Sequence, residues 1–192
     1  MLAPRWLLIL ATLTMLTACD SSPETPETTP SAAVTAESFI AAAARIDATS
    51  LPALAAAVDA DPSGVANQLQ SSLGGRHALQ AYAAAMLENG EGERLGRQWA
   101  ALAADVSALS ASEQKDGGVW HPRAEDAGFF TGGIAAALSQ NPKALPDFAQ
   151  GAGVAPAAPG QDVAEWLSAR VDVLPRPARA AFDQALHAGA VR

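Results

Sequence analysis

Five apolar side chains recur at helical spacing between residues 93 and 110. Leu95, Trp99, Leu102, Val106 and Leu109 are separated by four, three, four and three positions. This spacing places all five on one face of an α-helix, whereas a β-strand would send them to alternating faces. The segment must bury one long apolar face against other parts of the chain, and we expect it to form the central helix of a bundle.

Helical patterns of the same kind continue through most of the chain from Thr35 onward. Thr35, Ser50 and Asp61 stand where helices are expected to begin, and proline follows the last two within one turn. No segment shows sustained alternation rich in β-branched residues. The sequence predicts an all-α fold, an irregular antiparallel helical bundle formed by residues 35–192 as a single domain. The apolar stripes that support it are Phe39, Ile40 and Ala43; Val65, Leu69 and Leu73; Leu79, Tyr82 and Met86; Val163, Leu167, Val171 and Leu174; and Phe182 with Leu186.

The N-terminal segment, MLAPRWLLILATLTMLTACDSS, has a different character. Arg5 is its only charge before position 20, and residues 6–16 are apolar or threonine. A short basic region followed by an apolar run of about 7 to 15 residues is typical of a secretory signal, and a membrane-spanning helix needs about 20. We therefore expect a cleaved signal peptide rather than a transmembrane anchor.

The end of that segment, Leu16, Thr17, Ala18 and Cys19, resembles the lipobox of bacterial lipoproteins, and Cys19 is the only cysteine in the chain. The resemblance is confined to this segment. It implies a signal peptide over residues 1–18, acyl chains such as palmitate on Cys19, and a periplasm-facing protein held to a membrane of the cell envelope. Each buried methylene contributes about 0.8 kcal/mol, so two or three acyl chains form an effectively permanent anchor. The alternatives are an ordinary secreted protein with an unmodified cysteine and a buried free thiol at Cys19.

Asp20 follows the cysteine directly. The resemblance to lipoproteins implies that an aspartate directly after the acylated cysteine favours retention of the protein in the inner membrane over export to the outer membrane. Residues 19–34 are rich in proline, threonine and serine and have little to bury, so we expect a disordered linker. If extended, such a linker would reach on the order of 45 Å.

The net charge of the chain limits the classes of partner that it is expected to bind. The chain has a net charge of −8, which becomes −9 when Arg5 is removed with the signal. A nucleic-acid-binding protein needs a basic surface, so we expect no nucleic-acid partner. Like charges also oppose a domain that lies flat on anionic lipid.

One stretch, KDGGVWHPRAEDAGFFTGG at residues 115–133, interrupts the helical pattern. Long connections within compact domains are more often functional than idle, which makes this stretch a candidate binding loop. In the alternative interpretation, its aromatic side chains pack on the core while its charged side chains stay solvated. The candidate residues are Trp120, His121, Arg123, Glu125, Asp126, Phe129 and Phe130.

The sequence contains only weak signals for a catalytic site or a metal site. Glu125 and Asp126 could serve as general acid and base in a tethered cell-wall hydrolase, with His121 or Arg123 supporting charge. The three histidines are far apart in sequence, so we expect no metal and no cofactor. The leading hypothesis is a lipid-anchored envelope protein that binds a protein partner or envelope component without catalysis. The alternatives are the hydrolase and a carrier of an apolar ligand.

Overall fold

The computed structural model of the protein describes residues 35–45, 49–113, 122–174 and 176–187, without the side chains of 107–113 and 122–123. The chain divides into two units, Met1–Ala32 and Ala33–Arg192, and every described residue belongs to the second. The predicted signal peptide, Cys19, Asp20 and the linker lie outside the described residues, as do Trp120 and His121.

The described residues form an all-α bundle, which confirms the predicted fold class. They contain no β-strand, and no helix among them is long and apolar enough to cross a membrane. A short 3-10 turn, Pro142–Ala144, precedes the seventh helix. The helices are α1 Ala36–Ala43, α2 Ser50–Ala60, α3 Pro62–Gln70, α4 Gly75–Glu88, α5 Gly92–Glu113, α6 Pro122–Gln140, α7 Leu145–Ala152, α8 Val163–Val171 and α9 Arg176–His187.

Side-chain caps explain where several helices begin. The Thr35 hydroxyl accepts a hydrogen bond from the Ser38 backbone N–H at 3.3 Å, and the Asp61 carboxylate accepts one from the Gly64 N–H at 2.8 Å. Each cap satisfies one of the backbone donors that the first turn of a helix leaves unpaired. The predicted starts at these two positions are confirmed. Gly90, with φ of 77°, follows α4 in the left-handed conformation that favours glycine.

The centre of the bundle is α6, so the prediction that α5 is central is wrong. Helix α6 packs most extensively against α9 and also contacts α3, α4, α5 and α8. Residues 126–138 of α6 are all buried. A helix buried on every side needs no polar face and therefore shows no apolar stripe. The periodicity that pointed to α5 marks a helix with one exposed side.

The α5 stripe itself is confirmed for the side chains that the structure describes. Leu95, Trp99, Leu102 and Val106 are 0%, 8%, 1% and 1% exposed, and the side chain of Leu109 lies outside the described set. The prediction for Leu73 is wrong, because α3 ends at Gln70 and Leu73 is fully exposed. The hydroxyls of Ser71 and Ser72 bond back to the carbonyls of Asn67 and Gln68 in the last turn of the helix.

Glycines allow two helix pairs to approach closely. A Cβ at Gly128 of α6 would lie 1.9 Å from the Ala178 carbonyl oxygen of α9. A Cβ at Gly151 of α7 would lie 1.8 Å from the Glu93 carbonyl oxygen of α5. Backbone atoms cannot rotate away as a side chain can, so any larger residue at these positions must push the helices apart.

Candidate binding groove at Arg94

The predicted binding loop is helical over most of its length. Pro122 begins α6, a position where proline is compatible with the first turn, and the interpretation of residues 122–133 as a connection is wrong. Phe129 and Phe130 are 3% and 0% exposed and belong to the core, as the alternative interpretation expected for the aromatic residues. Arg123 lies in the first turn of α6, and its side chain is outside the described set.

The two carboxylates proposed for catalysis do not face each other. Glu125 is half-buried and Asp126 is buried, and consecutive residues of a helix project in different directions. The Asn67 amide donates to the Asp126 carboxylate oxygens at 3.3 and 3.4 Å. This geometry ties Asp126 to the packing of α3 against α6. Among the described residues the buried apolar side chains, Ala136 apart, form one hydrophobic cluster, and the carrier of an apolar ligand stays a hypothesis.

A different part of the surface combines charge, buried polar support and open space. Arg94 of α5 stands at the junction of two neighbouring grooves bordered by α2, α3, α4 and α5. We call the first the Arg97 groove; it has a volume of about 290 Å³ and is lined by Arg94, Val58, Asp59, Pro62, Arg97, Gln98 and Ala101. We call the second the Met86 groove; it has a volume of about 250 Å³ and is lined by Arg94, Leu51, Pro52, Ala55, Met86, Asn89 and Glu91.

A chain of hydrogen bonds runs from the core to Arg94. The Tyr82 hydroxyl donates to Gln98 Oε1 at 2.8 Å, and Gln98 Nε2 donates to Asp59 Oδ1 at 2.7 Å and to the Ala55 carbonyl at 3.2 Å. Arg94 then donates to Asp59 Oδ2 from Nε at 2.9 Å and from Nη2 at 2.6 Å. Tyr82 and Gln98 are 0% and 2% exposed. Buried and satisfied groups of this kind are rigid, so they hold the surface pair in one orientation.

The same contacts determine the protonation states of Asp59, Arg94 and Tyr82. Burial acts to raise the pKa of Asp59, but hydrogen bonds from Arg94 and Gln98 oppose it, and the pKa is lower than usual. The hydrogen bond to Asp59 raises the pKa of Arg94. Burial raises the pKa of Tyr82 well above its ordinary value, so its hydroxyl keeps its proton and remains a donor. At neutral pH the surface pair is an ionised guanidinium and carboxylate.

The contacts to Asp59 do not use all the donors of Arg94. A guanidinium has five N–H groups, and the bonds to Asp59 engage Nε and Nη2. Among the described residues, no side chain or carbonyl accepts from Nη1. The side chain of Arg94 is 27% exposed, so a ligand in either groove can reach it. The arrangement is a fixed cation with spare donors between two small clefts.

A second charged groove lies between α8 and α9 and is less suited to a ligand. Arg179 donates to Ser168 at 2.6 Å and to Asp172 at 2.7 Å from Nη1, and to Asp183 at 3.1 Å from Nε. Two carboxylates therefore neutralise this guanidinium on an exposed surface. Such contacts contribute little to stability and leave no excess charge for a ligand.

The ion pair at Arg94 gives a pH-dependent prediction. The folded pKa of Asp59 is depressed, so its contribution to stability is present above the unfolded pKa and is lost as pH falls through the folded pKa. Asp59→Asn should therefore lower the free energy of unfolding by about 1 kcal/mol at pH 7. Urea titrations at pH 7 and pH 3 should show the difference at pH 7 and a smaller one at pH 3. An equal difference at both values would contradict the assigned role.

The buried end of the network gives a second prediction. Tyr82→Phe removes the donor to Gln98 and leaves a buried amide oxygen without that partner. The expected cost is about 1 to 3 kcal/mol in the free energy of unfolding, because an unsatisfied buried acceptor loses its solvation. Denaturant unfolding of both proteins measures this cost. An unchanged stability would mean that the hydroxyl does not support Gln98.

Sequence reasoning did not select Asp59, Arg94 or Gln98. Within the described part of the chain, no three His, Cys, Asp or Glu side chains lie close enough together to hold a metal ion. Comparison with protein-family models, curated proteins and solved structures finds no match to the chain.

Proposed function

We propose that the protein is a lipid-anchored component of a bacterial envelope whose helical domain binds a protein partner without catalysis. The observation that carries the proposal is the junction at Arg94, where a fixed guanidinium with spare donors stands between two small grooves that are each lined by polar and apolar residues. Binding sites typically combine apolar walls with a few well-placed polar groups. The grooves are small, which suits a segment of a partner protein.

The N-terminal sequence supports the tether in this proposal. Residues 1–18 have the layout of a signal peptide, Cys19 completes the lipobox, and Asp20 favours the inner membrane. The proline-rich linker at residues 19–34 separates the lipid anchor from the domain. A tether of this kind confines the domain to one membrane, which raises its effective concentration toward partners in the same membrane. A shallow site of modest affinity is then sufficient.

A cross-linking pull-down tests this function. The full-length protein is captured from its own envelope beside Cys19→Ala, which cannot be acylated, and beside Arg94→Gln, which removes the groove cation. We expect one partner with the unaltered protein and much less of it with either variant. Arg45→Gln, a change at an exposed residue outside both grooves, serves as the control. Recovery of only abundant envelope proteins, or equal recovery with all four proteins, would contradict the proposal.

A further inference from the structure

We propose that Asn89 is a site of spontaneous deamidation, which the folded end of α4 restrains and which the opening of that end releases. The proposal does not depend on the proposed function. It rests on the residue that follows Asn89, on the hydrogen bonds that hold both reacting groups, and on the exposure of the pair to water.

The sequence contains one asparagine that is suited to this reaction. In deamidation the backbone nitrogen of the next residue attacks the side-chain amide carbon of asparagine, so a side chain on that next residue hinders the approach. Asn89 precedes Gly90, which has no side chain, whereas Asn67 precedes a glutamine. Asn141 precedes a proline, whose nitrogen carries no hydrogen. Of the three asparagines in the chain, we therefore expect Asn89 to react fastest.

Water is the only co-reactant that the reaction needs. The Gly90 nitrogen forms a bond to Cγ of Asn89, the bond from Cγ to Nδ2 breaks, and ammonia leaves with the proton of the Gly90 N–H. The product is a cyclic succinimide. Water then opens the ring at either carbonyl carbon, which gives aspartate or isoaspartate at position 89. The net change replaces an amide by a carboxylate, without oxidation or reduction.

Hydrogen bonds at the end of α4 hold both reacting groups. Nδ2 of Asn89 donates to the Ala85 carbonyl at 2.8 Å, and the Gly90 N–H donates to the Leu87 carbonyl at 3.3 Å. The ring can close only when Cβ of Asn89 is nearly eclipsed with the Gly90 nitrogen about the Cα–C bond. At the observed ψ of 6°, the nitrogen of Asn89 is eclipsed with it instead, and Cβ is rotated away. The reaction therefore requires both hydrogen bonds to break first.

The chain after α4 reinforces these bonds. Gly90 has a left-handed φ of 77°, and the Glu91 N–H donates to the Met86 carbonyl at 2.8 Å. Together with the bond from Gly90 to Leu87, this is the Schellman pattern of a helix that ends at glycine. Met86 and Leu87 are 1% and 4% exposed, so the core anchors the last turn. Asn89 and Gly90 are exposed, so water reaches the pair as soon as the turn opens.

The product fits this position less well than asparagine. A carboxylate at position 89 cannot donate to the Ala85 carbonyl. It also lies at the negative end of the α4 dipole, in sequence between Glu88 and Glu91. Deamidation adds a negative charge to the Met86 groove, which Asn89 lines together with Glu91 and Arg94. We therefore expect a modified chain to open more readily than an unmodified one.

Peptide mapping of the full-length chain tests the proposal. The protein in detergent is kept at neutral pH, either native or unfolded in guanidinium chloride. Trypsin then releases residues 77–94, a fragment whose only asparagine is Asn89. Mass spectrometry measures the conversion of amide to carboxyl, and chromatography separates aspartate from isoaspartate. We expect both products in the unfolded chain and a rate that is lower by about tenfold or more in the native chain, because the turn must open first.

Three substitutions locate the reaction and its effect. In the unfolded chain Asn89→Gln should remove most of the ammonia release, because the longer side chain does not form the succinimide. Asn67→Gln, at another exposed asparagine, should leave the release unchanged. Asn89→Asp carries the charge of the product, so the folded variant should unfold at a lower concentration of denaturant than the unaltered protein. Equal stability of the two would contradict the effect assigned to the product.

Equal rates in the native and unfolded chains would overturn the proposal, because the end of α4 would then not restrain the pair. The absence of reaction in the unfolded chain, or a faster reaction at Asn67 than at Asn89, would also overturn it. These results are independent of the envelope pull-down. A failed pull-down rejects the proposed function and leaves deamidation at Asn89 standing, and the reverse holds as well.

Discussion

Phe148→Ala should lower the free energy of unfolding by about 3 to 5 kcal/mol, the range expected when a fully buried phenylalanine is truncated and its cavity stays partly open. Phe148 of α7 is 0% exposed. Its ring centroid lies 6.1 Å from that of Trp99 on α5 and 6.3 Å from that of Trp166 on α8. One ring therefore joins three helices, and its removal takes away the aromatic neighbour that the two tryptophans share.

Chemical denaturation monitored by tryptophan fluorescence measures this loss, because Trp99 and Trp166 border the affected site. Leu73→Ala is the matched control, since it also deletes a large apolar side chain, but one that is fully exposed. Leu73→Ala should change the free energy of unfolding by less than about 0.5 kcal/mol. Similar losses for the two variants would show that α7 is not packed as the structure has it.

Gly128→Ala should destabilise the protein by about 1 to 3 kcal/mol through overpacking. In an unconstrained helix the same change stabilises by about 1 kcal/mol, because alanine has the higher helix propensity. At this position the new Cβ would lie 1.9 Å from the carbonyl oxygen of Ala178, so α6 and α9 must separate. These two helices share the most extensive contact in the described bundle. The steric effect should therefore reverse the sign of the propensity effect.

Gly133→Ala tests the same substitution on the same helix with a different neighbour. There the Cβ would meet the side chain of Leu79, with Cδ2 and Cγ at 2.8 Å, rather than a backbone carbonyl. A leucine can change rotamer, so we expect a smaller loss of stability than at Gly128. Thermal unfolding of both variants decides the comparison. A gain of stability for Gly128→Ala would contradict the close approach of α6 and α9.

Local signals predicted most of the helices because each signal depends on neighbours in sequence. The caps at Thr35 and Asp61 and the α5 stripe are examples. The central position of α6 could not be predicted from local signals, because a helix that is buried on all sides has no amphipathic face. Its first residues, PRAED, also read as a polar connection. Asp126 is buried where α3 packs against α6, and this burial depends on tertiary contacts that a local sequence pattern does not predict.

The Arg94 site was missed for a similar reason. Its members come from α2, α4 and α5, and only the fold brings Asp59, Tyr82 and Gln98 together. One local signal was available: Gln98 precedes Trp99 and lies three residues after Leu95, which places a polar side chain at the edge of the buried α5 face. A polar residue at such an edge needs a hydrogen-bond partner. Gln98 donates to Asp59, and Asp59 in turn accepts from Arg94.

Site-specific photo-cross-linking in living cells tests most directly whether this groove binds a partner at the membrane. A photoreactive amino acid replaces Ala101, an exposed residue of the Arg97 groove, or Gln184, an exposed residue of α9 outside both grooves. The proposal predicts one discrete adduct from position 101, little or none from position 184, and loss of the adduct when Cys19→Ala is added. Absence of an adduct at position 101, or the same adducts from both positions, would contradict it.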